Sequence, residues 1–225
     1  MSKRSMLHKM NKSKHDQLGD DHISSSIETP LRKDAFEKSD DEKIERIQYH
    51  FKEIMNELGL DLSDDSLSGT PYRVAKMYVK ELFYGLNPRN KPSLSVFDNK
   101  YAYGKMLIEQ NISLDSSCEH HFLPITGYAH IAYIPNGRIV GLSKIPRVVD
   151  VFSRRLQVQE RLTIEIRDCL QRTLEPKGVA VVLECSHMCM QMRGVQKQNS
   201  ATTTSAFTGL FLSNDTTRKE FINLI

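Results

Sequence analysis

The chain has 225 residues, of which 39% are hydrophobic and 26% charged, a balance that suits one globular domain with a buried core. No run approaches the roughly 20 apolar residues of a membrane helix and no apolar stretch opens the chain, so a cytoplasmic protein without a membrane partner is expected. The net charge of +3, with bases interleaved among acids, argues against nucleic acid as a partner, and four cysteines (Cys118, Cys169, Cys185, Cys189) without a secretory signal point to reduced thiols or a metal rather than disulfides.

Residues 1–39 are rich in Lys, Ser, Asp and His without an apolar period, and are expected to form a disordered N-terminal tail ahead of a single domain at 40–225. Asp16, Asp20 and Asp21 argue against reading Met1 to Lys14 as an organelle presequence. Asp40 and Asp41 are expected to cap a helix carrying Ile44, Ile47, Phe51, Ile54, Met55 and Leu58 on one face and ending at Gly59. Thr70-Pro71 starts the next helix, with Thr as cap, which runs through Val74, Met77, Tyr78 and Leu82 toward Gly85.

From Met106 the pattern changes to strands: Met106 to Leu114, then Gly127 to Ile134, with Pro135-Asn136-Gly137 as a hairpin turn into Arg138 to Leu142. Helices are expected over Lys144 to Arg154 and Gln159 to Leu174, followed by an apolar strand from Val179 to Met190 and a last strand near Phe207 to Leu212. The polar run Ser200 to Ser205 reads as a loop with some β structure. The alternation of hairpins and helices predicts an α+β fold, an antiparallel sheet with helices packed on one face behind N-terminal helices.

Cys118-Glu119-His120-His121 follows a predicted strand and spaces a thiolate and an imidazole so that both can reach one tetrahedral ion. In an extended strand Cys185 and Cys189 lie roughly 13 Å apart, too far to share a zinc ion, so one at most is a ligand. Cys189, beside Gln191 and Arg193, is the better candidate, and Cys185 reads as a core thiol. Cys118, His121 and Cys189 then make the three-ligand set of a catalytic zinc, while His120 and His187 are placed either to move protons or to close a structural site. Glu160 opens a helix, where it either complements the helix dipole or accepts from the N1–H and 2-amino group of guanine. Lys144, Arg147, Arg154, Arg155 and Arg193 are solvated surface charges or phosphate ligands; spacing alone leaves both readings open.

The blocks Thr70 to Tyr78, Cys118 to His121, Gly141 to Ile145, Gln157 to Leu162, His187 to Cys189 and Arg193-Gly194, extended by Ser200 to Thr204 and Gly209 to Phe211, resemble GTP cyclohydrolase I. The resemblance implies a tunnelling fold assembled as a toroidal homodecamer with active sites between subunits. It also implies zinc-dependent conversion of GTP to 7,8-dihydroneopterin triphosphate and formate. It assigns one zinc ion per subunit to Cys118, His121 and Cys189, proton transfer to His120 and His187, guanine to Glu160 and Gln159, and a place near the ribose to Ser143. Lys144, Arg147, Arg193 and Arg73 would meet the triphosphate. Cys185 departs from the small residue that the family prefers, without touching any of these roles. Two rivals remain: a tunnelling-fold nitrile reductase, which would need Cys118 as a free nucleophile, and a zinc-stabilised binding or regulatory module without catalysis.

Overall fold

The computed structural model describes residues 25–225. Most of the expected tail, and the segment weighed as a presequence, lie outside the described residues. Residues 25–39 carry turns but no helix or strand, and Thr29 donates to the Leu156 carbonyl at 3.2 Å.

Helix α1 (Asp40–Glu57) is capped one residue earlier than expected. Ser39 accepts from the Glu42 backbone while the Glu42 carboxylate accepts from the Ser39 N–H, a reciprocal capping box, which leaves Asp40 and Asp41 in the first turn to complement the helix dipole. Gly59, at φ +76°, ends the helix in a left-handed turn. Only Ile44 and Met55 of its apolar face are buried; Ile54 and Leu58 (71% exposed) face outward. A short α2 (Asp65–Ser68) precedes α3 (Thr70–Met77), whose cap is Gly69 rather than Thr70 because Pro71 occupies the first turn. The chain then passes through a π-helical turn (Tyr78–Leu82) and two 3₁₀ turns (Tyr84–Leu86, Pro88–Asn90). Gly85 is required in the first of these, since a Cβ there would sit 2.1 Å from the Val151 carbonyl oxygen.

The main sheet orders its strands β5-β2-β3-β6-β7: β2 (Leu107–Cys118), β3 (Pro124–Ile134), β5 (Leu156–Gln157), β6 (Gly178–His187) and β7 (Thr202–Phe207). The expected turn before Arg138 forms, with Gly137 at φ +78°, but β4 (Arg138–Val140) pairs with β1 (Val96–Asp98) instead of folding back on β3. The reason is topological: β3 is already bonded to β2 on one side and β6 on the other, so no edge remains. The sheet is also mixed rather than wholly antiparallel. Helix α4 (Lys144–Ser153) carries the chain back along β2, so that β5 enters beside Ser117 and Cys118 in the parallel sense.

Helices α4 and α5 (Gln159–Leu174) pack on one face, where Val148, Val149, Phe152, Leu162, Ile166 and Leu170 meet Leu114, Ile131, Tyr133, Val181 and Leu183. The expectation of one helical face needs correction. Phe211 of α7 (Gly209–Ser213) and Phe221 of α8 (Asp215–Leu224) cover Ala132, Ile134, Ala180 and Val182 on the opposite side. This explains why residues 178–183 of β6 are buried without alternation: both faces of that strand are covered. The last strand ends at Phe207, before the position expected, because Gly209 at φ +50° turns the chain into α7. No helix among the described residues is long and apolar enough to cross a membrane.

Candidate metal centre and its surroundings

Strand β2 delivers Cys118 to the end of the sheet, and the turn beyond it is tightly closed. Cys118 N–H donates to the Leu123 carbonyl at 2.8 Å and Phe122 N–H to the Cys118 carbonyl at 2.9 Å, while Glu119 N–H bonds Gln157 of β5 at 3.1 Å. Phe122 holds φ +57°, an uncommon conformation for a non-glycine residue, and wedges its ring 5.7 Å from that of Phe83. Both imidazoles of the turn reach the thiol: Nδ1 of His120 and Nδ1 of His121 each lie 3.8 Å from Cys118 Sγ.

Cys189 arrives by a route the spacing argument did not contain. The strand stops at His187, opposite Ile125, and the chain coils into α6 (Met188–Gln191), so Cys189 folds back instead of continuing along an extended face. The ligand atoms of Cys118, His121 and Cys189 consequently lie within 4.8 Å of one another. Tetrahedral bonds of 2.3 Å to sulfur and 2.0–2.1 Å to nitrogen would put S and N about 3.6 Å apart, close to the 3.8 Å between Cys118 Sγ and His121 Nδ1. The geometry and the soft donor set therefore fit a divalent metal. Burial, and next the neighbouring Cys118, push the Cys189 thiol pKa up, and the Arg193 charge opposes this. Cys185 is buried in the core, its thiol pushed up to about 12 by burial.

A buried polar network backs the metal turn. Arg161, 5% exposed, bonds the Glu119 carboxylate at 2.5 Å, Gln157 Oε1 at 2.8 Å, the Leu156 carbonyl at 2.9 Å and the Ser26 carbonyl at 3.3 Å. The other Glu119 oxygen lies 3.7 Å from His120 Nε2. Sequence reading missed Arg161 and Glu119 as supports, because nothing local marks a pair 42 residues apart.

Gln159 and Glu160 open α5 but face different surroundings. The Gln159 side chain is 2% exposed and committed inside the chain, to backbone carbonyls of β6 and β7 and, at 2.8 Å, to His187 Nε2. Glu160 is exposed and, with His120, Val158 and residues Ser25 to Ile27, lines a cavity of about 540 Å³. Burial lowers the His187 pKa, and the Glu160 carboxylate opposes that, so Glu160 lies within electrostatic reach of His187. A larger apolar cavity of about 740 Å³, walled by Phe36, Ile47, Tyr78, Phe83 and Phe122, lies on the far side of the turn.

The other expected phosphate ligands belong to other elements. Ser143, Lys144 and Arg147 sit at the start of α4, whereas the end of that helix leads into β5 beside Cys118. A helix of 10 residues spans about 15 Å, so Ser143 and Lys144 lie that far along its axis from the end that leads into β5. Arg73 bonds the Ser66 carbonyl at 3.1 Å and the Thr70 hydroxyl at 2.8 Å among the N-terminal helices. Of the basic residues, Arg193 acts electrostatically on Cys189, while Lys144 and Arg147 belong to α4 and Arg73 to α3.

Comparison with known proteins is consistent with this geometry. A family model described as GTP cyclohydrolase I matches residues 47–225. A protein of Flavobacterium johnsoniae named GTP cyclohydrolase 1 is 51% identical over 210 residues, covering 93% of this chain and 94% of its own. One of the same name from Shewanella sp. (strain ANA-3) is 50% identical over 197 residues, covering 88% and 90%. Among solved structures, the apo form of the archaeosine synthase QueF-Like aligns with 46% of this chain and 93% of its own at a TM-score of 0.39 and 15% identity, too distant to carry an argument. On the strength of the family match and these relatives, the chain belongs to the GTP cyclohydrolase I family.

Proposed function

We propose that this chain is a GTP cyclohydrolase I that converts GTP and water to 7,8-dihydroneopterin triphosphate and formate at one zinc per subunit. The observation that carries the reading is the convergence of Cys118, His121 and Cys189 within 4.8 Å, beside His120 and His187, in a chain of this family. Cys118, His121 and Cys189 would hold the zinc, which when bound would lower the pKa of water from 15.7 toward about 7. His120 and His187 move protons to and from the base nitrogens as the imidazole ring opens to a formamide and formate leaves. Glu160, exposed in the cavity it shares with His120, accepts from the N1–H and 2-amino group of guanine, two donors that adenine does not present together. The first backbone N–H groups of α5 lack partners within the helix, so Gln159 contributes to guanine recognition through its backbone, its side chain being engaged elsewhere.

Arg193 meets the triphosphate near its own metal centre, while Ser143 (at the ribose), Lys144, Arg147 and Arg73 reach the substrate of a neighbouring subunit. Support for a shared site comes from the place of Ser143 and Lys144 at the start of α4, a helix about 15 Å long whose other end leads into β5 beside Cys118. Further support comes from the sheet edges: among the described residues β5 covers only Ser117 and Cys118 of β2, and β7 pairs on one side, so both edges of the sheet can extend into another copy. Such continuation is what a toroidal homodecamer with a tunnelling fold requires. Residues 40–225 form the catalytic unit behind the N-terminal tail. Four free cysteines suit a reducing cytoplasm.

The test is incubation of zinc-loaded protein with GTP, reading formate and the fluorescent oxidised pterin. Neither product appearing from a protein that holds stoichiometric zinc would overturn the reading in favour of a binding module.

A further inference from the structure

Gln159 holds its carboxamide in a setting that determines its orientation. The nitrogen lies 3.2 Å from the Leu183 carbonyl, 2.9 Å from the Thr202 carbonyl and 3.1 Å from Thr204 Oγ1. Carbonyl oxygens only accept, so a flipped amide would set oxygen against two oxygens and leave buried acceptors unpaired. The surrounding hydroxyls agree on direction: Thr163 donates to the main-chain carbonyl of Gln159 at 2.7 Å, so Thr204, 2.7 Å away, donates to Thr163 and accepts from the Gln159 amide. Both amide protons are thus spent, and Gln159 Oε1 can only accept. Its partner at 2.8 Å is His187 Nε2.

We infer that Gln159 is a positioning residue that fixes the proton of His187 on Nε2, leaving Nδ1 as the nitrogen that gives and takes protons. The inference rests on the reading of His187 as a proton-transfer group and names the atom through which it acts. An Nε2–H donor is present whether Nδ1 is protonated or not, so the Gln159 contact persists through a proton transfer without rearrangement. A neutral carboxamide orients the ring without the added basicity that a carboxylate partner would confer. The support is drawn from three elements at once: the start of α5, the Leu183 position of β6, and Thr202 and Thr204 of β7.

The experiment is nitrogen NMR on zinc-loaded, full-length protein with ¹⁵N-labelled histidine, the signal of His187 among the eight histidines being identified by its loss in His187→Asn. Neutral His187 carrying its proton on Nε2 is the expected result; a proton on Nδ1 overturns the proposal, and this measurement needs no variant of Gln159 to fold. Gln159→Leu should then mix the tautomers and lower kcat about ten- to a hundredfold, with KM for GTP within about twofold and zinc content unchanged. An unchanged kcat, or a raised KM at preserved kcat as expected of a side chain that reads guanine, overturns it as well. Should His187→Asn keep full turnover while the wild-type tautomer is as inferred, the proton-transfer reading fails and the Gln159 geometry stands.

Discussion

The two ends of helix α4 carry the two halves of the proposed chemistry in opposite states of preparation. Beyond its C-terminal end, Cys118, His121 and Cys189 converge, Arg161 is buried against Glu119, and Gln159 grips His187. At its N-terminal end, Ser143 and Arg147 are exposed, and Ser143 makes no capping bond to its own helix. Groups that must hold a metal and direct protons are organised within one chain, where a misplacement of an ångström is costly. The groups proposed to bind the triphosphate are left on the surface, where under that proposal a neighbouring copy completes the site.

The sharpest way to break this contrast is to remove a ligand. Cys118→Ser or Cys189→Ser should abolish stoichiometric zinc binding and lower turnover by more than about a thousandfold, since metal assistance amounts to several kcal/mol of the barrier. Metal analysis and formate release check it; retention of both would return Cys118 to the role of a simple core thiol.

Next in size is the buried support. Arg161→Ala strips Glu119 and Gln157 of a partner, and losing one member of a buried pair costs about 3 kcal/mol or more. Urea unfolding measures this, and a midpoint shared with wild type would contradict the network.

At the other end, Lys144→Ala and Arg147→Ala should raise KM for GTP about tenfold each while zinc content and unfolding midpoint stay as in wild type. Mixing sharpens the comparison. If each site draws on two subunits, co-refolded Cys118→Ser and Lys144→Ala chains assayed at GTP well below KM should reach about one quarter of wild-type activity, above either variant alone, as random assortment in a symmetric ring dictates. No recovery would mean that each chain builds its site alone.

The smallest effect belongs to Glu109, on β2 at the end remote from Cys118. Burial raises its pKa to about 7, and one carboxylate oxygen has no hydrogen-bond partner among the described residues. A carboxyl group whose folded pKa exceeds its unfolded value binds more protons when folded, so its contribution to stability is lost as pH rises from about 4.5 to about 7. Glu109→Gln should therefore raise Tm by a degree or two at pH 8 and leave it unchanged at pH 4. An equal shift at both pH values would exclude ionisation of Glu109 as the cause.

What the sequence determined by itself was local. The capping residues near α1, the period of α5, the apolar run of β6 and the Cys118 to His121 spacing depend on neighbours a few residues away, and the ordered motif blocks supplied the family. Only the tertiary structure decided the rest. It set β4 against β1 because β3 had no free edge, and it wrapped α7 and α8 over a face expected to be bare. It also coiled α6 so that Cys189 turns back toward Cys118, and spent the Gln159 side chain on His187, 28 residues away. Periodicity records which side of an element is apolar; it holds no record of which distant donor meets which acceptor, and that pairing is settled when the chain closes on itself.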